Sequence, residues 1–330
     1  MGMSYKGYGR GKLLLFGEHA AVMGYPALGL SLARGIAIEL EPDPAATRWQ
    51  LEDYDEREGE VARAVMRRID ETIPELPRGG WIRVESDLPE GRGFGSSAAL
   101  CVALAEAALR AAGQPEVLRH RSLVWSIAHY AEGHFHGSPS GIDTGLAALG
   151  GVIAFTPKPP ELPAWRRIEP QPLHLLVGSV ERRGRSKELI ANIRKRARRA
   201  SSEEALILAR LGSISRSAEG LLAGGGTGGL PDTEGAAGGL TAELGALAKK
   251  AQKGLAALGL AEPAQSALIA LGEAAGSPGG KMSGAGGGGA FWLIYDEKAE
   301  AEAAKTLIAA RAEELGIGEG LGLETLETVG

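Results

Sequence analysis

Residues 88–100 read LPEGRGFGSSAAL, and this stretch constrains the fold more than any other in the chain. Gly91, Gly93 and Gly95 alternate, Ser96 and Ser97 follow, and the run AALCVALAEAALRAA then begins. That run is rich in strong helix formers, and serine is a good N-cap. The preceding WIRVESDLP alternates and reads as a strand. A bare loop between strand and helix calls for glycine, which takes φ > 0 without penalty and lets backbone N–H groups approach a ligand. Opening on a helix N-terminus, such a loop offers unpaired N–H groups and the positive end of the dipole, which suit a phosphate. A tight turn with a helix cap accounts for the same residues, so both readings stand at this point. The stretch is not a Walker A loop, because no Gly-Lys-Ser/Thr follows, and it lacks the third glycine of the dinucleotide fingerprint.

The remaining chain mixes two periodicities. KLLLF (12–16) and LARGIAIEL (32–40) read as strands, and so does LHLLVGSV (173–180). Helical spacing runs over 57–73, 116–133, 241–258, 262–275 and 297–314. KMSGAGGGGAFWLIY (281–295) reads as a second glycine loop leading into an apolar strand, and the glycine-dense 223–240 as a surface loop. Hairpin-like and crossover spacings occur together, so an α+β fold is expected. A length of 330 residues suggests two domains, and the proline-rich PKPPELPAW (157–165) is the expected boundary, giving domains 1–165 and 166–330.

A net charge of −5 argues against a broad nucleic-acid surface and requires that an anionic substrate meet a local basic cluster. No apolar run reaches the length of a membrane span. The single cysteine, Cys101, cannot form an internal disulfide and reads as a small buried hydrophobe. These features point to a cytoplasmic protein with no membrane and no nucleic-acid partner. His129, His134 and His136 cluster around Glu132, but their irregular spacing does not fit a transition-metal site.

Three separated segments, GKLLLFGEHAAVMGYPAL, PEGRGFGSSAA and KMSGAGGGGA, resemble in this order the three signature motifs of the GHMP kinases. Within that superfamily the chain is most similar to the mevalonate kinases: the Gly17-Glu18-His19 triplet, HGSPSGIDTGLAALGG (136–151), RSKELIANIRKR (185–196) and AQKGLAALGL (251–260) all look like segments of that family. The resemblance implies a two-domain fold: an N-terminal, ATP-binding α+β domain with a left-handed βαβ crossover and a ferredoxin-like C-terminal domain. It implies ATP and Mg²⁺ as cofactors, mevalonate as the small-molecule substrate, and leaves room for a homodimer. Carried over by position, Lys12 and Asp143 match catalytic residues, and Glu18, His19 and Ser186 match substrate-side residues. Gly91, Gly93, Gly95, Ser96, Ser97, Gly284, Ala285, Gly286 and Gly287 match the phosphate-binding loops, and Ser97 and Glu132 the Mg²⁺ ligands.

These roles are physically coherent. Phosphoryl transfer needs positioning and charge neutralisation more than covalent help. Mg²⁺ takes few hard oxygen ligands and keeps waters, so one carboxylate and one hydroxyl are a sufficient protein share. A primary alcohol is a poor nucleophile, so a carboxylate able to take its proton helps. A substrate carboxylate needs a cation, and Arg182, Arg183, Arg185 and Lys187 around Ser186 are the candidates. Arg92 stands where the family usually has a small residue, and Phe94 where it has leucine. Two alternatives remain: another GHMP kinase, acting on phosphomevalonate or a sugar, or a non-catalytic sensor on the same fold. The sensor reading predicts loss of the residues at Lys12, Glu132 or Asp143, and all three are present.

Overall fold

In β1 (Tyr5–Phe16) glycines recur at positions 7, 9 and 11, and for the first two the reason is helix α2 (Ser96–Ala111). A Cβ on Gly9 would stand 1.9 Å from the Ala99 carbonyl oxygen, so only glycine allows the strand to lie directly on the helix backbone. The computed structural model describes residues 3–51, 56–114, 121–136, 139–181, 203–224, 239–314, 316–317 and 321–327. Ser186 with its basic neighbours, and most of the glycine-dense 223–240, fall outside the described residues.

The chain forms two compact units, neither continuous in sequence. The first comprises Met1–Lys12, Ser31–Glu90 and Phe94–Gly150, the second Leu13–Leu30, Gly91–Gly93 and Gly151–Gly330. In the first, β2 (Ala27–Pro42) pairs antiparallel with β4 (Gly80–Ser86), from Ile36↔Ser86 to Pro42↔Gly80. The short β3 (Trp49–Leu51) joins β4 in parallel, with α1 (Glu56–Asp70) as the crossover. Helix α2 packs against α1, α3 (Arg121–His136) and α4 (Ile142–Leu149). Its alanines let these neighbours close in on every side, and Cys101 is sealed within it, as the sequence suggests. Burial pushes the Cys101 thiol well above its usual range, so it is chemically quiet.

In the second unit, the start of β2 pairs with β5 (Val152–Lys158), and β5 with β6 (Glu161–Ile168). PKPPELPAW therefore runs from the end of β5 through the turn into β6 of a hairpin. Pro159 and Pro160 occupy the turn, where no ladder N–H is required. A second sheet has the order β10–β7–β9–β8, all neighbours antiparallel, built from β7 (His174–Val180), β8 (Gly279–Met282), β9 (Gly289–Tyr295) and β10 (Gly322–Glu327). Helices α5 (Glu203–Leu222), α6 (Leu240–Ala257) and α7 (Pro263–Ala274) lie between β7 and β8 in sequence, and α8 (Lys298–Glu314) between β9 and β10. This is the ferredoxin-like βαββαβ order expected for the C-terminal half. Its core includes Leu176, Leu268, Phe291, Leu293 and Ile308. The fold is α+β. Among the described residues no helix is long and apolar enough to cross a membrane.

Candidate active site

The loop between β4 and α2 behaves as its glycines require. Gly91, Gly93 and Gly95 have φ of 65°, 89° and 78°. Position 95 admits nothing larger, because a Cβ there would also meet Lys12 Cγ at 2.7 Å. The structure corrects the capping expectation on the same ground: the N-cap of α2 is Gly95, which has no side chain to cap with, and Ser96 and Ser97 are the first helical residues. The first-turn N–H groups therefore have no side-chain cap, an arrangement that suits an anionic ligand. In the same loop, Nη1 of Arg92 is buried without a hydrogen-bond partner among the described residues, a donor available to an anion.

Lys12 runs beneath this loop. Its backbone N–H donates to the Phe94 carbonyl at 2.9 Å, and its Nζ lies 3.3 Å from Asp143 Oδ2. The Lys12 side chain is 5% exposed, whereas that of Asp143 is 39% exposed. Asp143 does not cap α4. The N-cap is Gly141, whose carbonyl accepts from Trp125 Nε1 at 2.8 Å, and the Ile142 N–H donates to Ser140 Oγ at 3.3 Å. Asp143 is thus a carboxylate in the first turn, paired with one lysine and open to solvent.

Glu132, on α3, is buried beside this pair and accepts a hydrogen bond from Thr144. Burial first, and the Asp143 carboxylate second, push its pKa up to about 8 from an ordinary 4.5, with Lys12 and Thr144 opposing. Two carboxylates share one lysine here, so the cluster can take up a further positive charge: a proton in the free protein, or a hard divalent cation. No group of three or more His, Cys, Asp or Glu side chains among the described residues could hold a metal alone. Mg²⁺, which keeps its waters and substrate oxygens, needs fewer, so Glu132 with a hydroxyl fits it.

A separate constellation lies in the second unit, and its central residue was not singled out from the sequence. Lys281 on β8 is fully buried and ion-paired with Glu18. Its Nζ also donates to the Met282 carbonyl at 2.6 Å and lies 5.8 Å from the ring centres of both Phe16 and Trp292. Glu18 accepts from the backbone N–H of Gly284. Burial pushes the Glu18 carboxyl up and the Lys281 ammonium down. His19, at φ 57°, donates from Nε2 to the Ala285 carbonyl at 3.0 Å; a carbonyl only accepts, so the proton sits on Nε2. The Leu14 N–H donates to Ser283 Oγ at 2.9 Å. Gly284, Gly286, Gly287, Gly288 and Gly289 all have positive φ. The signal for Lys281 was available: Glu18 sits beside an apolar strand, a buried carboxylate needs a cation, and Lys281 is the lysine of the third motif.

Residues 59–151 match the family described as GHMP kinases N terminal domain. The chain is 29% identical over 325 residues to a mevalonate kinase of Thermococcus gammatolerans, covering 90% of this chain and 91% of that protein. Among solved structures it superposes on L. major mevalonate kinase in complex with R-mevalonate, with a TM-score of 0.79, 19% identity and coverage of 98% and 95%. Lactococcus lactis galactokinase complexed with galactose aligns with a TM-score of 0.75 at 15% identity, over 99% of this chain and 94% of that one. The fold is that of the GHMP kinases, and fold alone does not choose among their acceptors.

Proposed function

We propose that this chain, a GHMP kinase by its fold and by the match over residues 59–151, transfers the γ-phosphoryl group of ATP to the primary hydroxyl of mevalonate, giving 5-phosphomevalonate and ADP. The kinase reading is carried by one observation: a solvent-open Asp143 held 3.3 Å from Lys12, with buried Glu132 beside them. The choice of mevalonate is supported by relatives named mevalonate kinase that align over about nine-tenths of both chains.

In this reading Asp143 orients the acceptor hydroxyl and takes its proton as the oxygen–phosphorus bond forms and the bridge to ADP breaks. Lys12 lies within reach of the same centre and offsets the negative charge that develops on the attacking oxygen. Gly91, Gly93, Gly95, Ser96 and Ser97, with Gly284, Ala285, Gly286 and Gly287, supply backbone donors and small surfaces for the phosphates, and Arg92 adds a cation. Glu132 and Ser97 would hold Mg²⁺, which would supply charge neutralisation for the phosphates. Glu18, His19 and Ser186 are assigned to the substrate side. We assign the N-terminal ATP-binding domain to 1–165 and the C-terminal domain to 166–330, and the enzyme to the cytoplasm.

An ADP-release assay with mass analysis of the product tests the function. Mevalonate should be the preferred acceptor among mevalonate, phosphomevalonate, galactose and homoserine. Turnover confined to one of the other three would overturn the choice of substrate and keep the kinase.

A further inference from the structure

We infer that Lys281 is a positioning residue: acting through Glu18, it fixes the backbone of the Ser283–Gly289 loop in the conformation that meets the nucleotide. The role in catalysis rests on the phosphoryl-transfer reading above; the latch itself rests on contacts within one unit.

A loop with five glycines at positive φ carries more conformational freedom than any other composition and must be held from outside. Three consecutive residues are held by the first motif. Ser283 Oγ accepts from Leu14, the Gly284 N–H donates to Glu18, and the Ala285 carbonyl accepts from His19. The far end is held independently, by Gly287 N–H donating to the Leu260 carbonyl at 2.9 Å and by Gln265 Nε2 donating to the Gly289 and Ala290 carbonyls at 3.1 and 2.9 Å.

Lys281 is the keystone of the near end. A buried glutamate can orient toward Gly284 only while a cation compensates it, and Lys281 is the ion-pair partner the described structure gives it. Two aromatic rings flank the ammonium, and the Met282 carbonyl takes another of its protons. A buried ion pair is weak evidence for stability, since apolar replacements of both partners are often neutral. Its use here is therefore geometric: it aims a carboxylate at the first glycine of the loop.

The test uses the full-length Glu18→Gln/Lys281→Met double variant, which removes both charges together and so avoids the unpaired buried charge of either single change. Hydrogen-exchange mass spectrometry should show peptides spanning 283–289 exchanging roughly tenfold faster than wild type, with β7 peptides unchanged. The KM for ATP should rise about tenfold, a change that loss of overall stability alone does not produce. A folded double variant whose loop exchange matches wild type overturns the inference, even if mevalonate is phosphorylated. Faster loop exchange in the double variant, together with a wild-type protein that phosphorylates none of the acceptors, sustains the latch and overturns the function proposed above.

Discussion

Two lysine–carboxylate pairs sit at motif residues, and they are built for opposite purposes. Lys12 and Asp143 meet at 3.3 Å with the aspartate 39% exposed, while Lys281 and Glu18 are 0% and 3% exposed. A carboxylate reached by solvent can also be reached by a substrate hydroxyl while it keeps its lysine beside it. A sealed one cannot, and separating it strands a charge in low dielectric. The difference teaches that charge content in a motif does not identify chemistry; exposure does. In the function proposed above, chemistry belongs to the open pair and loop positioning to the sealed one.

The largest effect expected from this contrast is catalytic. Asp143→Asn should lower kcat by roughly 10²–10⁴-fold, the scale of a lost general base, and cost less stability than breaking the sealed pair, since Asp143 itself is partly open to water and buried Glu132 remains beside Lys12. Steady-state kinetics and denaturant unfolding on the same preparation check both halves. Near-native turnover would remove Asp143 from the mechanism.

The sealed pair should behave the other way. Lys281→Met alone leaves Glu18 buried without its cation and should cost about 3–5 kcal/mol of stability, whereas adding Glu18→Gln should return most of that. Chemical denaturation of the two single variants and the double variant closes the cycle. Purely additive losses would mean that the pair is not coupled.

A smaller effect is expected where the phosphate loop crosses Lys12. Gly95→Ala forces a side chain to φ 78° and against the Lys12 stem, and should cost about 1–3 kcal/mol. The melting temperature should fall and the KM for ATP should rise. Gly91→Ala is the control: it shares a positive φ but meets nothing within 4 Å, so its cost should be less.

A further effect is a pH slope. Glu132 binds its proton up to about pH 8 in the folded protein, against an ordinary 4.5. Its raised pKa contributes stability that is full below about pH 4.5 and is lost as pH rises through 8, because the folded state holds a proton the unfolded chain has released. In Mg²⁺-free buffer the wild-type melting temperature should decline over this window more than that of Glu132→Gln. Parallel curves would mean that Glu132 is ionised throughout.

Much of this arrangement was legible in the sequence, and the exceptions have physical causes. Lys12, Glu132 and Asp143, picked out by resemblance, lie together in the first unit. The ferredoxin-like strand order followed from resemblance, although GLETLE (322–327) gave no sign of being a strand until β7 offered it an edge. PKPPELPAW reads as a break in regular structure because prolines break pairing, and Pro159 and Pro160 fall in a hairpin turn, which has no pairing to break. Lys281 was missed because a lysine is ordinarily solvated, and only the tertiary structure reveals which acid claims it.

The division of labour between the two pairs is tested most directly by the single-turnover rate of phosphoryl transfer at saturating ATP, Mg²⁺ and mevalonate. Asp143→Asn and Glu18→Gln/Lys281→Met are measured side by side. Saturation compensates for a loosened loop but not for a missing base, so the double variant should transfer at least about tenfold faster than Asp143→Asn. The reverse order, or equal rates, would contradict the assignment of chemistry to the open pair and of loop positioning to the sealed one.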